Sequence, residues 1–362
     1  MNREIRIDII RGLAMITIAL NHMGSLLDDL GYQGINIPTL THFGYSSSAE
    51  IFFLISGYMV GLVYLGKANL KSKTFSRAGK IYLYNLLTYI LVITLVYFLP
   101  NKVEVATDLN YSLDNPLFAT AKFLLLLQHP YLLGVLQLYV LLMLLTPAAA
   151  ALLQYNKILF FCISGSIFLV TKFFPHFNLP GGSPDGDWLW NFNPFAWQFI
   201  FFIGMYLGKI GMHKPFFAWL DKSKKNIAYI LIIFTIFAVI FRLGIGTGLH
   251  SAFFSKTNLG FFNFAHAFLG VATMAAFSTI LMHNARWIEK LLTNVGKNTL
   301  ECYAMSIPIT YILGGIWLNL PNNLSSYILV NALVIAGVLI TTLMKSHLNR
   351  AHPTLSPIRS AE

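Results

Sequence analysis

Asp8-Ile-Ile-Arg11-Gly-Leu-Ala-Met-Ile-Thr-Ile-Ala-Leu-Asn-His22 is the stretch of sequence from which the fold can be argued. It is apolar enough to enter a bilayer, yet it carries an acid, an arginine and a histidine. Ionisable side chains at membrane depth are costly and mark functional sites. Arg11 and His22 are 11 residues apart, which is about three helical turns, so they share one face about 16 Å apart along the axis. Asp8 precedes Arg11 by three residues, the spacing at which helical side chains pair.

Two interpretations of this face are open. In the structural one, the Arg11 side chain extends to the membrane surface and His22 is an ordinary interior residue. In the functional one, Asp8, Arg11 and His22 lie on one stripe because they serve one reaction. The shared face favours the functional interpretation.

The composition predicts an all-α, polytopic integral membrane protein. The 362 residues are 56% hydrophobic and 11% charged, whereas a soluble domain carries about 25% charged residues. Several runs of about 20 apolar residues follow one another, each long enough to span a bilayer. We expect one transmembrane domain over residues 1–362, and no cleavable signal peptide, because the first apolar run lacks a small-residue cleavage site.

The apolar runs and the charges between them predict about ten spans with both termini in the cytoplasm. Residues 117–127 are apolar but too few to cross, so we interpret them as a re-entrant or interfacial segment. The predicted spans are 9–30, 49–65, 81–99, 131–153, 158–174, 194–212, 226–243, 259–283, 298–318 and 325–344.

The net charge of +11 does not indicate a nucleic-acid partner, because the cations cluster in short segments between spans. Segments 67–80, 214–225 and 286–297 are predicted to be cytoplasmic loops by the positive-inside rule. Two cysteines give neither a disulfide framework nor a metal-ligand cluster, so no metal site is predicted. Glu301 lies near the inner end of its span and has no partner that the sequence identifies.

Arg11 and His22 lie near opposite ends of the first span on this topology. Arg11, with Asp8 beside it, suits a phosphorylated donor on the cytoplasmic side, since a guanidinium pairs bidentately with phosphate. A neutral His22 imidazole in the outer half can deprotonate a hydroxyl group. Glu50 opens the second span at a similar depth and is a second catalytic candidate, as a group that orients the imidazole. The alternative for Glu50 is a solvated carboxylate at a helix N-terminus. Gly57 is expected to serve close helix packing.

The outer segment 180–198 predicts a carbohydrate site. Aromatic faces stack on sugars, and amides and carboxylates hydrogen-bond their hydroxyls. The candidates are Trp188, Trp190, Asn193, Trp197 and Gln198. The alternative is the aromatic belt at the membrane interface, which predicts the tryptophans but not the polar residues among them.

Further polar residues are predicted at the outer face. Lys256 and Asn258 are candidates for binding the acceptor. His266 follows a turn or two into the next span, at a depth similar to that of His22, so the two imidazoles are candidates for one cavity. The alternative for His266 is a structural role.

Several of these segments resemble the OpgC family, which is named for the succinyltransferase of osmoregulated periplasmic glucans. The separation of Arg11 and His22 is also similar to that of the wider type 3 membrane acyltransferases. The segments that carry the resemblance are Arg6–Gly12, Asn21-His22, Phe43-Gly44-Tyr45-Ser46, Glu50–Tyr58, Leu136-Gln-Leu-Tyr139, Asn191–Gln198, Lys256-Thr-Asn258-Leu and Asn294–Asn298.

The resemblance implies a ten-span enzyme of the bacterial inner membrane. It implies transfer of an acyl group, with succinyl from cytoplasmic succinyl-CoA as the first choice, to hydroxyls of periplasmic glucans. The partners are then membrane lipids, acyl-CoA as donor substrate and the glucan, without a permanently bound cofactor. An Asp is common in the family where this chain has Ser47, and Gly134 and Gln137 are also atypical.

Other functions remain open at this stage, because family membership does not fix a substrate. One is an acetyltransferase acting on another extracytoplasmic glycan. Another is a transporter or flippase for a glycan or a small anion. A transporter more often has discontinuous helices at corresponding places in two halves, and the sequence shows no such pairing.

Overall fold

A computed structural model of the chain describes residues 4–181, 189–244 and 251–351. Within these residues the chain forms fifteen α-helices and two single 3₁₀ turns, and its only β-pairing is the isolated bridge between Pro180 and Leu189. The helices are α1 Ile5–Asp29, α2 Ser48–Val63, α3 Leu70–Val96, α4 Asn101–Ala106, α5 Asn110–Asp114, α6 Pro116–Leu124, α7 Gly134–Tyr155, α8 Lys157–Phe173, α9 Pro194–Lys209, α10 His213–Lys222, α11 Lys224–Arg242, α12 Phe261–Asn284, α13 Arg286–Lys297, α14 Thr299–Trp317 and α15 Leu324–Ala351.

The all-helical class predicted from the apolar runs is confirmed, and each predicted span contains one helix. By length and apolar composition, six of the described helices can cross a membrane: α1, α3, α7, α11, α12 and α15. The pair α9 and α10, bent by 74°, makes a seventh if it is taken as one span. The count of ten spans therefore stays a prediction. Most of residues 117–127 belong to the 9-residue helix α6, which ends at Leu124 and is too short to cross.

The basic segments predicted as loops are helical, which corrects that part of the sequence interpretation. Residues 70–80 form the first turns of α3, residues 213–222 form α10, and residues 286–297 form α13. Lys and Arg are good helix formers. A high local charge therefore marks the end of the apolar stretch without marking the end of the helix.

Helix α1 lies at the centre of the fold and packs against α2, α12, α13, α14 and α15. Its residues between Arg11 and His22 are largely buried, including Met15 and Ile18. At the end of α1 that carries Asp8, α13 lies so close that a Cβ on Gly296 would be 1.8 Å from the carbonyl oxygen of Asp8. The helix with the ionisable stripe is therefore held on several sides by neighbouring helices.

Helices α2 and α9 make the most extensive helix contact in the described part of the chain, and glycines make it possible. A Cβ on Gly57 would be 1.9 Å from the carbonyl oxygen of Phe201, and one on Gly61 would be 1.9 Å from that of Met205. On α9, a Cβ on Gly208 would be 2.0 Å from the carbonyl oxygen of Tyr58. Small residues four apart on both helices let the two backbones touch. The packing role expected for Gly57 is confirmed.

Several basic segments meet at the end of the fold that holds the start of α1. Arg6 binds Asp221 of α10 at 2.7 Å. Glu301, which had no partner in the sequence interpretation, binds Lys345 at 2.5 Å and Lys80 at 3.4 Å. The cations of α3, α10 and α15 therefore lie at the same end of the fold as Arg6.

Candidate functional site

A cavity of about 560 Å³ lies beside the second half of α1 in the described part of the chain. We call it the outer cavity, and the cavity at Arg11 the inner cavity, after the topology predicted from the sequence. Pockets that hold small ligands have volumes of about 300–1,000 Å³. Its wall comes from α1, the turn before α2, the segment before α7, and two outer segments. The lining residues with polar or aromatic side chains include Asn21, His22, Thr41, Ser47, Ser48, Asp108, His129, Tyr131, Trp190, Lys256 and Tyr303.

His22 lies in the wall of this outer cavity, as the stripe on α1 predicted. Its ring is half-buried, and its edge meets the ring of Tyr303 with centroids 5.8 Å apart. Its Nδ1 is buried and has no hydrogen-bond partner among the described residues. An imidazole with an unused nitrogen beside a ligand-sized cavity is a candidate base or nucleophile.

Arg11 lies in the wall of a second, inner cavity of about 20 Å³, which Arg77 and Ser56 also line. Its guanidinium donates to Thr299 Oγ at 2.8 Å and pairs with Asp8 at 3.5 Å, as the three-residue spacing predicted. Arg11 and His22 therefore line different cavities, and the inner cavity is much the smaller.

Glu50 does not meet His22, which corrects the role suggested by their similar depth. Its carboxylate is fully buried and accepts hydrogen bonds from Ser47 Oγ at 2.5 Å and Asn263 Nδ2 at 3.3 Å. It is not among the described residues that line the outer cavity. Ser47 does line it, so Glu50 is connected to the cavity wall through its hydrogen bond with Ser47.

His266 is also behind the wall and not in it, so the shared cavity predicted for the two imidazoles is wrong. Its Nδ1 hydrogen-bonds the backbone N–H of Ser46 at 3.2 Å and the Ser46 hydroxyl at 2.7 Å. The ring is fully buried and stacks on Phe237 at 5.3 Å. A Cβ on Gly44 would be 2.1 Å from its Nε2. His266 thus supports the turn 44–46, which lines the cavity.

Trp190 is the predicted sugar-stacking residue that the structure places at the cavity. Its ring is buried, and its Nε1 has no partner within the described residues. Trp188 lies outside the described residues. Lys256 is exposed and lines the same cavity, as predicted for an acceptor-binding residue.

The other candidates from the outer segment form a buried support and not a binding surface. Trp197 Nε1 donates to the carbonyl oxygen of Thr257 at 2.9 Å, and Asn193 Nδ2 donates to Asn258 Oδ1 at 2.7 Å. Gln198 Oε1 accepts a hydrogen bond from Ser164 Oγ at 2.6 Å. Four of the predicted binding residues are buried and absent from the cavity's described lining: Asn193, Trp197, Gln198 and Asn258.

This support holds the turn that carries Lys256 and Thr257 into the cavity wall. Lys172 of α8 adds to it by donating to the carbonyl oxygens of Asn258 and Leu259. The aromatic and amide residues were predicted to contact a sugar directly. Their buried hydrogen bonds instead position the residues that face the cavity.

Asn21 and His129 are among the polar groups of the outer cavity that sequence reasoning missed. Asn21, beside His22, donates to Thr41 Oγ at 2.7 Å. His129 Nδ1 lies 3.0 Å from the carbonyl oxygen of Pro130. A carbonyl oxygen only accepts a hydrogen bond, so Nδ1 carries the proton and Nε2 keeps its lone pair. No local pattern in the sequence indicates which surface a histidine such as His129, outside the helices, faces. Within the described residues no group of three or more metal-ligating side chains occurs.

Comparison with known proteins gives one match that covers nearly the whole chain. No curated protein and no solved structure matches the chain significantly. The family model described as "OpgC protein" matches residues 3–350. Its match takes in α1 with Arg11 and His22, the turn before α2, and the outer segments around the cavity. The chain therefore belongs to the OpgC family.

Proposed function

We propose that the protein is a membrane O-acyltransferase that moves an acyl group from cytoplasmic acyl-CoA to hydroxyls of a periplasmic glucan. The observation that carries the proposal is the placement of Arg11 and His22 of α1 in separate inner and outer cavities. A donor and an acceptor on opposite sides of a membrane require two such spaces. Membership of the OpgC family supports a glucan as the acceptor.

The proposed topology has ten spans, both termini in the cytoplasm, and the bacterial inner membrane as location. The gathering of Arg6, Lys80 and Lys345 at one end of the fold supports it, since cationic segments favour the cytoplasmic side. Arg11 then lies near the cytoplasm and His22 in the outer half. Four helices that the count of ten requires, α2, α8, α9 and α14, have 16 to 19 residues.

In this proposal the donor enters from the inner side and is a substrate, so no cofactor stays bound. The Arg11 guanidinium, positioned by Thr299 and Asp8, provides a cation for a phosphate of coenzyme A, and Arg77 lines the same inner cavity. Lys256 in the wall of the outer cavity offers a cation to the free carboxylate of a succinyl group. That charge favours succinyl over acetyl as the group transferred.

The transfer step uses His22 as general base. The glucan hydroxyl oxygen attacks the thioester carbonyl while the His22 ring accepts the hydroxyl proton. The new C–O bond forms, the C–S bond breaks, and the thiolate of coenzyme A leaves and takes up the proton. A rival mechanism makes His22 the nucleophile, with an acyl-imidazole that the glucan hydroxyl then cleaves. Trp190 provides the flat face against which a sugar ring stacks.

Purified protein with succinyl-CoA tests the proposal directly. We expect release of the free thiol of coenzyme A to depend on added glucan, and the glucan to gain the mass of succinyl groups. Acetyl-CoA serves as the comparison donor. Passage of unmodified glucan across proteoliposomes without thiol release would support the transporter instead.

Arg11→Lys is expected to weaken use of the donor more than use of the glucan. Lysine keeps the charge but loses the bidentate fork, so it holds a phosphate less well. We expect the KM for succinyl-CoA to rise about tenfold, equivalent to about 1.4 kcal/mol, with the KM for glucan unchanged. Arg286→Lys, at an exposed position on α13, is the control. An unaltered KM for succinyl-CoA in Arg11→Lys contradicts the assignment.

A further inference from the structure

Tyr303 is the one side chain common to the two cavities among the described residues. It lies on α14, fully buried, and lines both the outer cavity with His22 and the inner cavity with Arg11. On α1 those two residues are 11 positions apart, which corresponds to about 16 Å of helix. The Tyr303 ring therefore stands on the path between the two ends of the stripe.

Two further rings from other helices complete the barrier. Phe52 of α2 lies 6.0 Å from Tyr303 between ring centroids, and Tyr139 of α7 lies 5.8 Å from Phe52. Phe52 and Tyr139 both line the inner cavity. The aromatic residues of three helices thus close the space between the cavities.

The Tyr303 hydroxyl adds a hydrogen bond to the contacts that the ring makes with His22 and Phe52. It donates to the carbonyl oxygen of Leu132 at 2.6 Å, in the segment that enters α7. Tyr311, two turns further along α14, makes a parallel bond to the carbonyl oxygen of Tyr131 at 2.6 Å. Tyr311 is equally buried but is not among the residues that line either cavity. The chain therefore contains a matched pair of tyrosines, of which one separates the cavities.

We infer that Tyr303 closes the passage between the donor and acceptor cavities and limits the size of the acyl group that reaches His22. The inference deepens the proposed function and rests on it for the identity of what passes. The inner cavity, about 20 Å³, holds little more than a single water. An acyl thioester therefore reaches His22 only when the Tyr303 ring turns aside. With the ring in place, the aqueous spaces on the two sides of the membrane stay separate.

A leak measurement tests the barrier without relying on any transferase activity. Wild type, Tyr303→Ala, Tyr303→Phe and Tyr311→Ala are reconstituted into proteoliposomes with a trapped pH-sensitive dye, and no substrate is added. After an external pH step we expect Tyr303→Ala alone to equilibrate severalfold faster than wild type. Tyr303→Phe keeps the ring and should stay closed. Equal rates for Tyr303→Ala and Tyr311→Ala overturn the inference.

Acyl selectivity gives the second readout. Transfer of glutaryl relative to succinyl, from their coenzyme A thioesters, is expected to rise in Tyr303→Ala and not in Tyr311→Ala. If Tyr303→Ala does not yield a monodisperse protein, Tyr303→Leu replaces it with the same expected direction in both assays. Unchanged selectivity in an active, folded variant overturns the size limit.

The two assays separate this inference from the proposed function. A leak in Tyr303→Ala but not in Tyr311→Ala, in a protein that transfers no acyl group, supports the barrier and contradicts the transferase. Normal glucan-dependent transfer, with neither a leak nor altered selectivity in those variants, supports the transferase and overturns the role of Tyr303.

Discussion

His22→Ala is expected to fold and insert normally but to lose about 10²- to 10⁴-fold in the rate of acyl transfer, the contribution that general acid–base catalysis typically makes. The imidazole lies in the wall of the outer cavity with an unpartnered nitrogen. Alanine removes the proton acceptor and leaves a small void in that wall. The measurement is glucan-dependent thiol release from succinyl-CoA by the purified variant.

His176→Ala is the control, because His176 is an exposed histidine of the outer segment that does not line the cavity. It should transfer at the wild-type rate. Full activity in His22→Ala excludes both proposed mechanisms. Labelled succinyl-CoA without acceptor then distinguishes them in the wild type, since only an acyl-imidazole intermediate labels the protein.

Gly61→Ala is expected to destabilise the protein strongly. The added Cβ would lie 1.9 Å from the carbonyl oxygen of Met205 and 2.9 Å from the backbone nitrogen of Lys209. Both atoms belong to the backbone of α9, so the two helices must move apart along their contact. Overpacking typically costs about 1–3 kcal/mol, and separation of two backbones belongs at the upper end of that range. The measurement is the midpoint of thermal unfolding in detergent.

Gly79→Ala is the matched control, since Gly79 is also inside a helix but a Cβ there meets no atom within 4 Å. Alanine in an open helical position is expected to be neutral or to stabilise by up to about 1 kcal/mol. The two variants should therefore shift the unfolding midpoint in opposite directions or differ clearly in size. Equal midpoints in the two proteins would argue against close α2–α9 packing.

The helices and the α1 stripe were predictable because each depends on local sequence. An apolar run of about 20 residues predicts a spanning helix wherever the rest of the chain lies. The spacing of Asp8, Arg11 and His22 sets their common face by helix geometry alone. The contact between Asp8 and Arg11 follows from the same spacing.

The roles of Asn193, Trp197 and Gln198 were not predictable in this way. Their partners lie at Asn258, Thr257 and Ser164, which are 34 to 65 residues away. An aromatic ring beside an amide has the composition of a sugar site and also that of a buried support. Only the fold distinguishes a side chain that faces a cavity from one that faces a backbone carbonyl.

Depth along a helix can be read from the sequence, but it was not enough to place Glu50 and His266. Both were placed near His22 by counting residues from the membrane surface. The direction in which each side chain points around its own helix axis depends on how the helices pack. In the folded chain Glu50 points to Asn263, and His266 points to Ser46. Tyr303 was missed for the same reason, since nothing in the apolar sequence of α14 marks the residue that meets two cavities.

The glycine contacts between α2 and α9 bear on which part of the protein can move. Backbones in contact at Gly57, Gly61 and Gly208 resist both sliding and rotation, so the two helices behave as one rigid body that carries Phe52. Helix α14 is different, because it contains Pro308, which has no N–H to donate to the carbonyl oxygen of Ala304. Thr88 Oγ donates to that carbonyl oxygen instead, at 3.5 Å. Helix α14 therefore bends most easily near Pro308, about one turn after Tyr303. We expect the passage to open by flexing of α14 against a stationary α2–α9 pair.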